Sequence, residues 1–380
     1  MKTVVLFLPT LNDGGAENVV KEYALRLDKN RFNVIVIVVQ SYLHNPSAIY
    51  EVLSESPIEV IDLYPHNIPV LYQLNLITRI WHHFFDTFYV ALRIKKIIEE
   101  RHVEILHAHM RVLHYLMPIR KSLKGIKLLY TCHSLPERWL GETCKDEFNA
   151  AKYLICNNQL QMIGLHEEMA QALNDMFDIS NTLVLSNGAD YKTFNSIIES
   201  KEEIRQRLGI PLDAFVLGHV GHFVPSKNHA YIVRVFHKLY LKNRNAFLLL
   251  IGHGSGEIQR DLLEYAEQRG FKDRVRILSH RKDIPELMKS MDAFIFPSKF
   301  EGFGIAVVEA QMAGLRCAVS DNVPQATILS PRTIPLSLED PVDMWCDALT
   351  NEEVRNKKYG RMSDCNWDHI VDQLTEIYLS

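Results

Sequence analysis

Short, continuously apolar, β-rich runs alternate with helix-period segments along almost the whole chain. The first half carries Val4–Leu8, Val34–Val39, Glu59–Leu63, Ile105–His109, Leu128–His133, Tyr153–Asn157 and Leu183–Ser186. The second carries Val216–Val220, Phe247–Ile251, Val275–Leu278, Ala293–Pro297 and Cys317–Ser320. Runs that are apolar at successive positions predict strands covered on both faces, because only one face of a half-exposed strand needs to be apolar. Glu17–Leu27, His229–Leu241 and Ile258–Arg269 read as helices between them. Strand–helix alternation predicts an α/β chain built on parallel sheets.

The pattern occurs twice, so the prediction is two doubly wound, Rossmann-like domains facing across a cleft. The break falls near Asn187–Ser200, giving 1–190, 191–362 and a final helical segment 363–380. Asn366-Trp367-Asp368 and the apolar positions Ile370, Val371, Leu374 and Ile377 mark that last helix as amphipathic. A chain of 380 residues can bury such cores without disulfides. Its six cysteines include no CxxC pair, which excludes a zinc ribbon or thioredoxin-type site and predicts reduced thiols. No apolar run reaches the length of a membrane span, and Val4–Leu8 is too short for a signal core. The expectation is a soluble cytoplasmic chain, at most peripheral on the inner face of a membrane.

In open parallel sheets ligands bind beyond the carboxyl ends of strands, so the loops after the strands are the places to look. After the first strand, Gly14-Gly15-Ala16-Glu17 opens a helix; the glycines allow close backbone approach to an anion. The pair matches neither a dinucleotide fingerprint nor a P-loop. After Val216–Val220 comes Gly221-His222-Phe223-Val224-Pro225-Ser226-Lys227-Asn228-His229, where Lys227 is placed to hold a phosphate. After Phe247–Ile251 comes Gly252-His253-Gly254. The sharpest segment is Pro297-Ser298-Lys299-Phe300-Glu301-Gly302-Phe303-Gly304, followed by a helix carrying Glu309. Two carboxylates on one loop and helix can accept hydroxyl hydrogen bonds from different parts of an elongated ligand.

Taken together, these motifs resemble family 4 of the retaining, nucleotide-sugar-dependent glycosyltransferases with the GT-B fold, in particular the group building bacterial capsular and exopolysaccharide repeat units. Glu301-x7-Glu309 and Gly14-Gly15-Ala16-Glu17 carry the resemblance most specifically. Ser186-Asn187-Gly188-Ala189-Asp190, Lys227-Asn228-His229 and Gly252-x-Gly254 support it. The resemblance implies that Gly14 and Gly15 face the donor diphosphate and the acceptor side, and that Lys227 neutralises the diphosphate. It implies Glu301 on donor-sugar hydroxyls, the Gly302–Phe303–Gly304 amides on sugar or phosphate, and Glu309 on the ribose. His133 matches the family histidine near the reacting sugar. Glu301, His133 and Lys227 are thus the catalytic expectation, Gly252 and Gly254 adjoin the donor, and His109 and Asn187 lie on the acceptor side. The family's usual Arg after the first C-domain strand is His222 here, a group charged only part of the time near neutral pH.

The donor implied is a nucleotide sugar, in particular a UDP-sugar, as substrate rather than cofactor; the acceptor is a glycan or lipid-linked saccharide. The chain has no Asp-x-Asp, in keeping with the family's metal-independent transfer. Its net charge of −4 speaks against a nucleic-acid partner but conceals a basic stretch. Residues 79–127 carry ten Lys/Arg against four Asp/Glu, interleaved with Ile80, Trp81, Phe84, Phe85, Phe88 and Tyr89. That pattern fits either an anionic bilayer surface or a core-facing helix with a solvated rim. Two further readings share the architecture: a nucleotide-sugar 2-epimerase, and a non-catalytic partner subunit, which His222 keeps in view.

Overall fold

The computed structural model describes residues 1–40, 47–64, 76–141, 144–351 and 359–380, with the side chains of 76–84 left aside. The chain divides into two compact units, Met1–Asn187 with Asp368–Ser380, and Gly188–Trp367.

Unit 1 is a seven-stranded sheet in the order β3-β2-β1-β4-β5-β6-β7, every pairing parallel. Its strands are β1 (Lys2–Leu8), β2 (Phe32–Val38), β3 (Glu59–Asp62), β4 (Ile105–His109), β5 (Lys127–Thr131), β6 (Gln161–Gly164) and β7 (Leu183–Val184). Its helices are α1 (Gly15–Arg26), α2 (Ala48–Ser54), α3 (Leu76–Glu100), α4 (Lys145–Asn158) and α5 (Glu167–Phe177), joined by α13 (Trp367–Leu379) from the end of the chain. Residues 4–8 of β1 and 34–38 of β2 are buried throughout, as continuous apolar runs require.

Unit 2 repeats the plan with six parallel strands in the order β10-β9-β8-β11-β12-β13. These are β8 (Phe215–Val220), β9 (Ala246–Ile251), β10 (Val275–Leu278), β11 (Ala293–Phe296), β12 (Arg316–Ser320) and β13 (Thr333–Leu336). Around them lie α6 (Tyr191–Asn195), α7 (Lys201–Leu208), α8 (His229–Lys242), α9 (Gly256–Gln268), α10 (Ile284–Lys289), α11 (Ile305–Met312) and α12 (Val342–Thr350). Successive residues of β9 point to opposite cores: Leu248 and Leu250 pack with α8 residues such as Phe236, Phe247 and Leu249 with Leu287 and Met288 of α10.

One predicted strand is wrong. Tyr153–Asn157 lies inside α4, whose buried positions Glu147, Ala150, Ala151 and Leu154 recur at helical spacing. The apolar cluster at 153–156 was too short to distinguish the two periods, and the strand comes later, as β6 after a left-handed Gln159. Strand β13 was also missed: Pro335 interrupts its short run, and the strand sits at the sheet edge, where a missing N–H is tolerated.

Strand order reverses between β1 and β4 in unit 1, and between β8 and β11 in unit 2. The loops that diverge at these reversals leave a crevice at the carboxyl ends of the strands. The residues following β1, β4, β8 and β11 are therefore the ones the topology presents to a ligand.

Candidate functional site in each unit

In unit 2, Lys227 closes a single 3-10 turn, Pro225–Lys227, after β8, and a left-handed Asn228 redirects the chain into α8. Glu301 stands in the loop after β11. The Lys227 Nζ lies 2.5 Å from Glu301 Oε1, with side chains 19% and 10% exposed. The same ammonium sits over the Phe296 ring, 4.7 Å from its centroid. The two loops are laced at the backbone, the Lys299 N–H donating to Ser226 O at 2.8 Å. A cation and a carboxylate 74 residues apart are thus brought together at the strand-order reversal of this sheet.

Gly304 begins α11 in the left-handed region (φ +90°), and no side chain caps that helix start. Phe303 is buried, while Glu301, Gly302 and Glu309 are partly accessible. An uncapped start leaves amide N–H groups aimed outward, the arrangement that receives anions. Gly252 has no room for a side chain: a Cβ there would lie 2.0 Å from the Gly221 carbonyl oxygen. That approach holds the ends of β8 and β9 together.

Two histidines of this unit, His219 and His229, were given no role of their own from the sequence. His219 is fully buried, its Nδ1 bonded to the Ile295 carbonyl at 2.9 Å, and His229 stacks on Phe223. Burial drives His219 well below the usual range and His229 down to about 4, with Lys227 adding to both. Both are neutral at pH 7 and leave Lys227 as the cation beside Glu301. A surface cavity of about 390 Å³ in unit 2 lies elsewhere, at the amino-terminal end of β8 near Arg205, Phe215 and Asp292.

In unit 1, Gly14 caps α1, and Glu17 is buried behind it, accepting a bond from Thr10 Oγ1 at 3.2 Å. A Cβ on Gly14 would stand 2.3 Å from the Glu17 carboxylate, so the glycine is needed for that packing. Burial raises the Glu17 pKa. The loop is further held by the Ser47 hydroxyl on Leu11 O and the Ile49 N–H on Asp13.

At the ends of β4 and β5, His109 Nδ1 and His133 Nε2 are 2.9 Å apart. The β4–β5 register sets this pair, because His109 lies opposite Thr131 and His133 follows two residues later. Behind it His107, 4.1 Å ring to ring from His109, bonds the Tyr378 hydroxyl at 2.8 Å and Thr131 at 2.7 Å. Burial pushes His107 down to about 3 and His133 to about 4, and holds His109 far below its usual range. The row is therefore neutral at pH 7, and its members exchange hydrogen bonds rather than charge. Asn187, also singled out by sequence, is buried, and its Oδ1 has no hydrogen-bond partner among the described residues.

Two family models cover most of the chain between them. That described as "Glycosyltransferase Family 4" matches residues 13–192, and "Glycosyl transferases group 1" matches 200–333. The chain belongs to the family 4 glycosyltransferases. As a family 4 glycosyltransferase it has the GT-B architecture. EpsF of Bacillus subtilis (strain 168) is 26% identical over 356 residues, 92% of this chain and 87% of that protein. An Escherichia coli protein named UDP-Gal:alpha-D-GlcNAc-diphosphoundecaprenol alpha-1,3-galactosyltransferase is 27% identical, over 75% of this chain and 77% of its own. Among solved structures, HepE of Anabaena in complex with UDP superposes with a TM-score of 0.74 at 20% identity, covering 99% of each chain. Among the described residues, no helix of this glycosyltransferase is long and apolar enough to cross a membrane.

Proposed function

We propose that this glycosyltransferase moves a hexosyl or N-acetylhexosaminyl group from a UDP-sugar to a glycan or lipid-linked saccharide, with retention at the anomeric carbon, in cell-surface polysaccharide synthesis. The observation that carries the reading is the Lys227–Glu301 pair at the strand-order reversal of unit 2, beside the uncapped start of α11. Lys227 and the amides of Phe303 and Gly304, just before α11, offset the charge that grows on the leaving diphosphate. Glu301 accepts hydrogen bonds from donor-sugar hydroxyls, and Glu309, on the same helix, from the ribose. Gly252, Gly254 and Gly302 let the backbone approach the donor, and His222 adds a titratable donor group.

In unit 1, Gly14 and Gly15 serve the diphosphate and acceptor side. The neutral His133, held by His109, offers a hydrogen bond to the reacting sugar without introducing a charge; Asn187 serves the acceptor. In a same-face transfer the departing phosphate takes the acceptor's hydroxyl proton, so no protein nucleophile is needed. Two UDP-containing names among the relatives and structures support the donor class. We also place the acceptor at an anionic membrane surface on the inner face, reached through the basic stretch 79–127. Phe85, Phe88, Tyr89 and Leu92 of α3 are exposed at i, i+3, i+4 and i+7, which is one helix stripe.

Thermal shifts with a panel of nucleotide sugars test the donor assignment. Stabilisation by one UDP-sugar above its epimers is expected; indifference to every UDP-sugar contradicts it. The second reading, a partner subunit without turnover of its own, rests on His222 in the place of the usual arginine. Transfer by the purified chain alone removes it.

A further inference from the structure

Helix α13, the last of the chain, buries Ile370, Val371, Leu374 and Tyr378 in unit 1. The Tyr378 ring is fully buried and packs edge-on against Phe32 of β2, centroids 5.7 Å apart, and against His107 of β4 at 5.8 Å. Its hydroxyl is bonded as well, to His107 Nδ1 at 2.8 Å, between residues 271 positions apart in sequence.

Counting protons fixes the direction of that bond. Among the described residues the Tyr378 hydroxyl has His107 as its one partner, and His107 has two, Tyr378 at Nδ1 and Thr131 Oγ1, 2.7 Å from Nε2. A neutral imidazole carries one N–H. With that proton on Nδ1, the buried phenol proton would face no acceptor, the costly arrangement. The proton is therefore on Nε2: Tyr378 donates to His107, and His107 donates to Thr131.

Two routes lead from His107 to His133. Thr131 stands at the end of β5, two residues before His133. The His109 ring lies 4.1 Å from that of His107, and its Nδ1 is 2.9 Å from His133 Nε2. With Nε2 unpartnered among the described residues, His109 has that one hydrogen bond, so its seat is the His107 ring behind it. His107 and His109 are fully buried, whereas His133 is partly accessible. Within the row, then, His133 is the member open to a ligand, and the others act through it.

We propose that Tyr378 is a positioning residue for His133. Its phenol fixes the tautomer and ring plane of His107; His107 seats His109 and binds Thr131; these two hold the accessible imidazole in place. The proposal rests on the reading of His133 beside the reacting sugar, and adds Tyr378, Thr131 and His107 to it. Seating of the last helix is thereby a condition of the site in unit 1 and not of its fold alone.

The test removes one oxygen. Tyr378→Phe keeps the ring that packs on Phe32 and leaves His107 Nδ1 without its donor. Histidine-nitrogen NMR spectra of the isotope-labelled chain, assigned with His107→Gln, His109→Gln and His133→Gln, show which nitrogen of each ring carries the proton. The expected wild-type pattern is a bare Nδ1 and a protonated Nε2 on His107, and Tyr378→Phe should shift the His133 nitrogens as well as those of His107. A protonated Nδ1 on His107, or His133 signals unmoved in Tyr378→Phe, overturns the proposal and leaves the donor reading standing. In transfer assays with UDP-sugars, Tyr378→Phe should lower kcat by about tenfold and leave donor KM within about twofold, the mark of a misplaced group rather than of lost binding. Lys2→Met, which loses the 3.5 Å contact to the Tyr378 main-chain carbonyl and spares the hydroxyl, should leave both constants unchanged. Unchanged kcat in Tyr378→Phe, beside a His133→Gln variant that has lost transfer, overturns the positioning role alone. Full transfer by His133→Gln overturns the sugar-side reading of His133 and the proposal with it. Should Tyr378→Phe fail to fold, Thr131→Val removes the other bond of His107 and must move the same His133 signals; unmoved signals there overturn the proposal.

Discussion

Lys227 Nζ and Glu301 Oε1 stand 2.5 Å apart, each side chain largely withdrawn from water, on loops that diverge from adjacent strands of one sheet. The two side chains form an ion pair. A donor that places its diphosphate on Lys227 and its sugar hydroxyls on Glu301 must exchange this pair for two new ones. Lys227→Met should therefore raise KM for the donor by about tenfold to a hundredfold, the loss of one charge-assisted contact, and should also lower kcat, because the charge it offsets grows in the transition state. Glu301→Gln should leave donor affinity within a few-fold and lower kcat by roughly a hundredfold or more. Steady-state kinetics with both variants check the split; a Glu301→Gln variant that loses only affinity contradicts it.

Acid should destabilise unit 1 through its buried imidazoles. His107 and His133 are held near 3 and 4, below the roughly 6.5 of an unfolded histidine. Below about pH 6.5 the unfolded chain takes up protons that the folded chain refuses. Stability is therefore full above that pH and falls as pH drops toward the folded values, by up to about 1.4 kcal/mol per unit for each histidine. Urea midpoints at pH 7.5 and 5 measure this, and His107→Gln should make the slope shallower. An unchanged slope in that variant would remove His107 from the account.

The foot of unit 2 depends on Asp292. Burial alone would raise its carboxyl, but Lys201, the Val216 N–H and Arg205 outweigh burial and hold it below the usual carboxylate range. Arg205 also donates to the carbonyls of Ser290, Leu212 and Ala214. Asp292→Ala leaves a largely buried guanidinium without its carboxylate and should cost about 3 kcal/mol or more. Chemical denaturation reads the loss directly, and a change under 1 kcal/mol would show the network to be dispensable.

Membrane association should follow the α3 stripe. Phe85 and Leu92 are each 61% exposed on a helix that also carries Arg93, Lys95 and Lys96. Flotation with liposomes containing anionic lipid should recover the protein, and replacing both apolar residues with Ser should abolish recovery. Equal recovery with neutral liposomes would dismiss the electrostatic part of the proposal.

What sequence could and could not disclose follows from these same residues. Val4–Leu8 reads as a strand because a parallel strand is covered on both sides and stays apolar throughout. Tyr153–Asn157 misled because a four-residue apolar cluster fits a helix edge as well as a strand. Lys227 and Glu301 were each visible as loop residues after strands, but their pairing depends on β8 lying next to β11 in the sheet. The ring contacts of His253 with His222 and His280 were invisible for the same reason: parallel pairing of β8, β9 and β10, not local spacing, brings these residues together. Glu17 gave a clue in the Gly14-Gly15-Ala16-Glu17 motif itself, but only packing shows that its carboxylate fills the space Gly14 leaves.

The most direct measurement of the central claim is transfer itself. The purified protein is incubated with UDP-sugars labelled in the sugar and with lipid-diphosphate saccharides, and label entering the organic phase is followed. The expected result is label transfer from one UDP-sugar into a product with the donor's anomeric configuration, lost in Glu301→Ala of intact fold. Inverted product, or transfer undiminished in Glu301→Ala, would contradict the account.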